Sequence, residues 1–354
     1  MAVLRAHATL DQASHTLPFG ASRPPSQRGD FQYMNRREIS SDFANTLSPM
    51  AVTPPPLRVV FFGLPCDFTR IVVETCARSG VNIVGLLVPG PDDRMAPVEV
   101  AQPRTLLPMA GSGPSHVRAP LFHIGRTGSA STRQLVSSLA PDVIAVACYP
   151  TRIPPQTAAI ARLGALNVHP SRLPAGRGPD PLFWTLRRGD GQAAVTVHAL
   201  DVQMDAGPIY LQRDLEYPDG TTESELNDLL ATAGGALLVE TIAGLATNAL
   251  FPTAQDETRA TYQTWPTAGD FVIDTTLSAR AAYNFIRGVA GRYVPVTIAT
   301  PAGDIIVDEA LQYVTGEGPA AIDAAETRWV QFADGWLRIR SSIPPVTGIS
   351  TEPR

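Results

Sequence analysis

The chain contains no lysine: all 28 of its basic residues are arginine, in a sequence of 354 residues. That absence removes whole reaction classes. A Walker A phosphate loop needs its lysine, and pyridoxal-phosphate enzymes and Schiff-base aldolases need a lysine amine. Cysteine is also scarce. Cys66, Cys76 and Cys148 lie in or beside apolar runs and form no CxxC pair, so they offer no zinc framework and suit a reduced compartment. No uninterrupted apolar run approaches the roughly 18 residues of a membrane helix, and the N-terminus lacks a signal-peptide apolar region. The expectation is a cytoplasmic protein with no membrane partner. Gly63 belongs to no GxGxxG pattern, which argues against a dinucleotide site.

What the chain has in abundance is breakers, 33 Pro and 28 Gly, on an ordinary 44% hydrophobic background. Its length suggests about two domains. Residues 1–56 lack periodicity and end in Thr53-Pro54-Pro55-Pro56, and read as a disordered extension. Met50 stands just ahead of the first strong strand, so Met1–Pro49 is expected to be an over-called start, which peptides from Gln12–Arg28 would disprove. From Leu57 the pattern is α/β. Arg58–Gly63 is a buried strand, Phe68–Ser79 a helix and Asn82–Val88 a second strand, a βαβ unit that implies a parallel sheet.

Residues 89–120 read as a long loop, followed by strands at Leu121–Ile124 and Asp142–Cys148 with a helix at Ser131–Leu139 between them. Pro154–Leu163 is predicted as a helix with proline in its first turn, and Ala165–Val168 as a short strand. A helix at Pro181–Arg188 precedes strands at Ala193–Leu200 and Pro208–Leu215. Thr222 and Glu225 form a capping box for a helix of about six turns, whose Gly234-Gly235 permits close packing. Residues 248–268 read as a linker. Beyond it come a helix at Leu277–Gly288 and short strands at Val294–Ala299, Asp304–Asp308, Trp329–Ala333 and Trp336–Ser341, as in a small β-rich domain or barrel, then a loose tail at 344–354. The fold class expected is an open, mostly parallel Rossmann-like sheet, residues 57–250, with a smaller β-rich, OB-like domain, residues 251–343.

Charge divides unevenly. Residues 57–208 carry 14 Arg against 10 acids, net +4, and residues 209–354 carry 9 Arg against 19 acids, net −10. The C-terminal half would repel a phosphate backbone at long range unless a local arginine cluster overrides it.

The chemistry concentrates in Asn167-Val168-His169-Pro170-Ser171-Arg172-Leu173-Pro174-Ala175-Gly176-Arg177-Gly178. Strand residues two apart share a side, so Asn167 and His169 can face one cleft at a strand's C-terminal end, where open α/β sheets bind ligands. A second segment, Leu200-Asp201-Val202-Gln203-Met204-Asp205-Ala206-Gly207-Pro208-Ile209, supplies carboxylates on a glycine-containing turn. An amide, an imidazole and a carboxylate suit acyl transfer to an amine: the amide donates to a developing oxyanion, the imidazole moves the amine proton, and the carboxylate orients the imidazole. Spacing alone does not separate Asp201 from Asp205. His198, in an alternating strand, reads as a packed or pairing residue. Arg177 either holds its loop or meets the acceptor, and Arg187-Arg188 suit a helix C-terminus. His169, His198, Asp201 and Asp205 lack metal-ligand spacing, so no metal is expected.

These segments, with Val59–Pro65 (VVFFGLP), Gly189-Asp190, Val195-Thr196-Val197 and the Met204–Ile209 turn, resemble the folate-dependent formyltransferases, above all the methionyl-tRNA formyltransferases. The resemblance spans about residues 57–300; Thr261-Tyr262, Asp270-Phe271 and Phe285-Ile286-Arg287 look like the start of the family's small C-terminal domain. It implies formyl transfer from 10-formyltetrahydrofolate to an amine. Asn167 would bind the oxyanion, His169 assist proton transfer, and Asp205, which the resemblance favours over Asp201, hold the imidazole or an ordered water. Leu200, Asp201, Ala206 and Gly207 would contact the pterin, and Ser171 and Arg177 the acceptor.

The acceptor implied is the initiator methionyl-tRNA, with a small amine (an amino sugar nucleotide or hydroxylated amino acid) close behind. Water as acceptor would make a formyltetrahydrofolate hydrolase, and a non-catalytic folate- or protein-binding relative is a further alternative. Val88–Arg104 departs from the tRNA enzymes, with only Arg94 and Arg104 where they carry a basic loop, and Pro150-Thr151-Arg152-Ile153-Pro154 replaces an expected glycine turn.

Overall fold

A computed structural model describes residues 56–99, 117–291, 294–319 and 327–341. The extension, Arg104 and the tail at 344–354 lie outside them. The larger part is one eight-stranded sheet. Its strands are β1 (Arg58–Gly63), β2 (Asn82–Pro89), β3 (Val98–Glu99), β4 (Leu121–Ile124), β5 (Val143–Ala147), β6 (Ala165–His169), β7 (Gln192–Ala199) and β8 (Ile209–Glu216). Their order is β3-β4-β2-β1-β5-β6-β7-β8. The centre from β4 to β6 is parallel, as the βαβ reading requires, while β3, β7 and β8 pair antiparallel.

Both faces are covered, which explains the unbroken apolar runs. Val59 and Phe61 face one core, Val60 and Phe62 the other. The helices are α1 (Asp67–Arg78), α2 (Ala130–Ser138), α3 (Pro155–Ala158), α4 (Pro181–Arg188), α5 (Glu223–Ala246) and α6 (Ala279–Val289). The capping box of α5 forms as expected: Glu225 N–H donates to Thr222 Oγ1, and Thr222 N–H to the Glu225 carboxylate. An 18-residue window of α5 has mean hydropathy 1.7, but half of it is buried, against α1, β6, β7 and β8. Its glycines make that seat possible. A Cβ on Gly234 would lie 2.5 Å from Val168 Cγ1, and one on Gly235 2.8 Å from Thr75 Cβ.

Two elements differ from expectation. The helix predicted over Pro154–Leu163 ends after Ala158. The chain must turn at once into β6 through Gly164 at φ +93°, and Thr157 Oγ1 is committed to Thr127 O at 2.9 Å. The linker over 248–268 is a fastened strap, containing a 3-10 turn at Glu257–Arg259 and a bridge from Thr253 to Ile209. A second 3-10 turn, Ala268–Phe271, leads into β9 (Val272–Asp274).

The C-terminal part holds two three-stranded sheets. One is β11 (Gly303–Val307), β10 (Val296–Thr300) and β9; the other is β12 (Glu309–Thr315), β14 (Gly335–Arg340) and β13 (Thr327–Phe332). Strands β9 and β12 escaped the sequence reading because β9 is three residues long and β12 alternates weakly. Helix α6 sits against α4, where Phe183, Phe271 and Phe285 form an aromatic cluster with Phe183 ring centroids 5.0 and 5.8 Å from the other two. The Arg187 guanidinium lies 4.9 Å from the Phe285 ring centroid and donates to Asp270 O and Val272 O, a structural role.

Candidate active site

Strand β6 ends the parallel run, and its last residue is His169. Across the sheet on β7, His198 pairs with Asn167 and Thr196 with His169. Cross-strand partners share a face, so this pairing brings an amide and two imidazoles together. Asn167 Nδ2 donates to His198 Nε2 at 3.2 Å and to Asp205 Oδ1 at 3.4 Å. His198 Nδ1 is 2.8 Å from Ala199 O, which can only accept, so the ring proton sits on Nδ1 and Nε2 receives. His169 Nε2 is 2.9 Å from Gly176 O, which by the same reasoning holds the proton on Nε2 and turns Nδ1 toward Asp205 Oδ2 at 3.8 Å.

Asp205 reaches both rings from a left-handed backbone conformation, φ +54°, which aspartate tolerates better than most residues. Its Oδ1 lies 3.7 Å from His198 Nε2, and its Oδ2 accepts the Gly178 N–H at 2.9 Å. Gly178 has φ +106°, and a Cβ there would lie 2.2 Å from Gln263 O, so glycine is required for that amide to reach the carboxylate. Burial, reinforced by the neighbouring His169, pushes the His198 imidazole down to about 4, against the pull of Asp205 and the Ala199 carbonyl. His198 is therefore neutral at physiological pH and acts as an acceptor for Asn167.

The structure thus brings together Asn167, His169 and Asp205, and adds His198. The sequence signal for His198 was its place opposite Asn167, which needs the β6–β7 register to be seen. Asp201 lies apart, exposed, its Oδ1 accepting the Gln203 N–H at 3.0 Å. Leu200 is half-buried and donates its N–H to Ala165 O; Ala206 donates to Gln203 O. Gly207 packs where a Cβ would lie 1.8 Å from Ala199 O. Ser171 is buried, with Oγ donating to Ala175 O at 3.2 Å.

Of the two roles expected of Arg177, its geometry has the loop-holding one. The residue is 0% exposed, and its guanidinium donates to Gln255 Oε1, to both Glu257 carboxylate oxygens and to Tyr262 Oη. That set uses every guanidinium N–H and leaves none for an acceptor. Gln255 Nε2 in turn donates to Asp205 O and Gly207 O, each at 2.7 Å.

Cys66 and Cys148 follow the neighbouring strands β1 and β5. The Cys66 thiol is held down to about 6 by a hydrogen bond with the Cys148 side chain, against burial, with the Thr69 and Phe68 backbone amides assisting. Among the described residues no group of three or more His, Cys, Asp or Glu is placed to hold a metal ion.

Residues 57–242 match the model of the formyl transferase family. Methionyl-tRNA formyltransferase of Bordetella bronchiseptica is 31% identical over 300 residues, covering 79% of this chain and 91% of that protein. Its counterpart in a Synechococcus strain is 34% identical over 234 residues, 65% of this chain and 71% of that one. An N-formyltransferase from Helicobacter canadensis, solved with folinic acid and dTDP-3-aminofucose, has the same fold, with a TM-score of 0.53 at 12% identity over 81% of this chain and 99% of that one. With that fold, that family match and relatives of that extent, the chain belongs to the formyl transferase family and is a one-carbon, methionyl-tRNA formyltransferase-like transferase.

Proposed function

We propose that the protein is a cytoplasmic enzyme that transfers the formyl group of 10-formyltetrahydrofolate to the amino group of the initiator methionyl-tRNA. The observation that carries the chemistry is the convergence of Asn167, His169 and Asp205, with His198 behind them, at the C-terminal end of β6. The acceptor rests on relatives named methionyl-tRNA formyltransferase that this chain matches across most of their length.

The amine nitrogen attacks the formyl carbon, and the carbonyl π electrons move onto oxygen. Asn167 Nδ2 meets that oxyanion. Its two N–H bonds now go to His198 and Asp205, and the longer of them, 3.4 Å to Asp205, is the one the oxyanion displaces. His169 Nδ1, the ring nitrogen left with a lone pair, takes the amine proton beside Asp205. The intermediate then collapses with cleavage of the bond to N10 of the folate. The proton returns to that nitrogen as it leaves, so the ring ends as it began. The pterin is placed against the Leu200–Asp201 and Ala206–Gly207 segments, Asp201 contributing from the exposed rim. Ser171 shapes the acceptor side by closing its loop. No metal takes part.

One observation favours a second acceptor class: the net charge of −10 over residues 209–354 suits a small amine, such as an amino sugar nucleotide, better than a nucleic acid. Purified protein incubated with 10-formyltetrahydrofolate and separately with charged initiator tRNA, amino sugar nucleotides or buffer tests all readings. Folate release only with tRNA is expected. Release in buffer at the same rate would mean hydrolysis, and no release anywhere would end the transfer reading. Asn167→Ala, His169→Ala and Asp205→Ala should each lower turnover by about 100-fold or more while the circular dichroism spectrum is kept.

A further inference from the structure

The segment that follows the family-matched residues reaches back into the site. Arg177 N–H donates to Thr261 O, Gln263 N–H to Arg177 O, and Gly176 N–H to Thr261 Oγ1. These bonds lay residues 261–263 alongside the loop that carries Gly178. Gln255 sits where this strap meets the Asp205 turn. Its Oε1 accepts from Arg177 Nε at 3.1 Å and Nη2 at 2.7 Å, and its Nε2 donates to the carbonyls of Asp205 and Gly207. The partners leave the amide one orientation, since a guanidinium only donates and a carbonyl only accepts. Glu257 completes the assembly by gripping Arg177 with both carboxylate oxygens, at 2.7 and 3.0 Å.

We infer that Gln255 is a positioning residue for formyl transfer: its amide holds the Asp205 turn in the left-handed conformation that aims the carboxylate at Asn167 and His169, with Arg177 and Glu257 holding the amide. The inference rests on Asp205 acting in catalysis. Without the two bonds from Nε2, the aspartate keeps only side-chain partners, and its backbone relaxes toward the right-handed region that a non-glycine residue prefers. An error of about 1 Å in such a group costs on the order of 100-fold in rate.

Gln255→Glu separates the two ends of the amide. A carboxylate still accepts from Arg177, but it has nothing to donate to Asp205 O and Gly207 O. We expect kcat for formyl transfer to fall about 10- to 100-fold, with KM for donor and acceptor within about threefold of wild type. In the Asp205→Ala background the same substitution should cost no further rate, because coupled residues are not additive. Amide exchange should quicken at least about tenfold over 203–207 and at Gly178, and stay unchanged in β5 and β6. Unchanged kcat, a full additive loss in the Asp205→Ala background, or unchanged exchange at the turn would each overturn the inference.

The exchange result does not need turnover. If the wild type transfers no formyl group to any acceptor, the enzymatic reading has failed, while exchange still decides whether Gln255 holds the turn. Should Gln255→Glu not fold, Glu257→Gln loosens Arg177 and leaves Gln255 in place. Exchange at 203–207 should then rise by a smaller factor, and no change would count against the assembly.

Discussion

A neutral histidine buried against a second histidine and an asparagine amide gives folding a pH dependence of definite sign. His198 titrates at about 4 in the folded chain, against the ordinary 6.5 of a free imidazole. Between those values the unfolded chain holds a proton that the folded one refuses, so the stability from this group is complete above 6.5 and is lost as pH falls toward 4. The full loss is on the order of 3 kcal/mol. The lowered carboxylates Asp142, Asp219 and Asp270 act at lower pH, through and below their ordinary 3.8. Thermal unfolding from pH 7 to 4.5 should therefore show a falling Tm in the wild type and a flatter profile in His198→Gln, whose side-chain oxygen can still accept from Asn167. Equal slopes would mean that His198 does not set the acid limb. Local spacing brought out Asn167, His169 and the choice between two aspartates, because those features sit within short stretches of chain. His198 was read as a packed or pairing residue, and it is buried and bonded to Asn167, but the partner follows only from strand register; Gln255, acting across 50 residues to Asp205, was not read at all.

At the scale of elements, α5 shows where helix propensity and packing disagree. Alanine in place of a helical glycine gains about 1 kcal/mol where the side is open. At Gly234 the new Cβ would press on Val168 Cγ1 at 2.5 Å and Val195 Cγ2 at 3.0 Å, both in a fully packed sheet. Overpacking of that kind costs roughly 1–3 kcal/mol. Gly234→Ala should thus lower the urea midpoint by an amount equivalent to up to about 2 kcal/mol; a raised midpoint would show that the helix can move away without cost. The capping box and the glycine pair were legible because each is a local rule with one physical cause. The false extension of α3 and the reading of 248–268 as a linker share the opposite origin. In the first, apolar spacing continued after tertiary bonds had ended the helix; in the second, prolines and threonines that suggest a loose connection lie in a strap held by Arg177, Trp184 and Ile209.

Over the whole molecule, charge and docking pull the substrate question in different directions. Residues 57–208 carry a basic excess, and residues 209–354 are acidic. A polar node around the buried Asn284 joins the two parts. Asn284 Nδ2 donates to Gly189 O and Asp219 Oδ1, both at 2.9 Å, and Asp219 also receives Arg280 and Tyr313 Oη. Asp219 and Arg280 pair with each other there, so the contact withdraws one charge of each sign and leaves the net count unchanged. If methionyl-tRNA is the acceptor, its phosphates fall to arginines, and its apparent KM should rise at least about tenfold between roughly 50 and 200 mM salt. A sugar nucleotide, with two phosphates at most in contact, should shift only a few-fold over the same range. Steady-state kinetics at several salt concentrations separates the two, and a flat response with tRNA would remove it as the acceptor. The mostly parallel character of the large sheet was readable from alternating strands and helices; its strand order was not. The acceptor was not, because it depends on which charges remain unpaired after folding.

The strap has an evolutionary reading as well. The family-matched segment ends at residue 242 and holds Asn167, His169, His198 and Asp205. Gln255, Glu257 and Thr261 lie beyond it. On the proposed mechanism, a gene fusion or truncation that carried the segment alone would inherit every group proposed to react and leave behind the proposed brace for one of them. On that reading the portable unit is longer than the recognisable domain, and exchange of the C-terminal part between relatives should break after the strap.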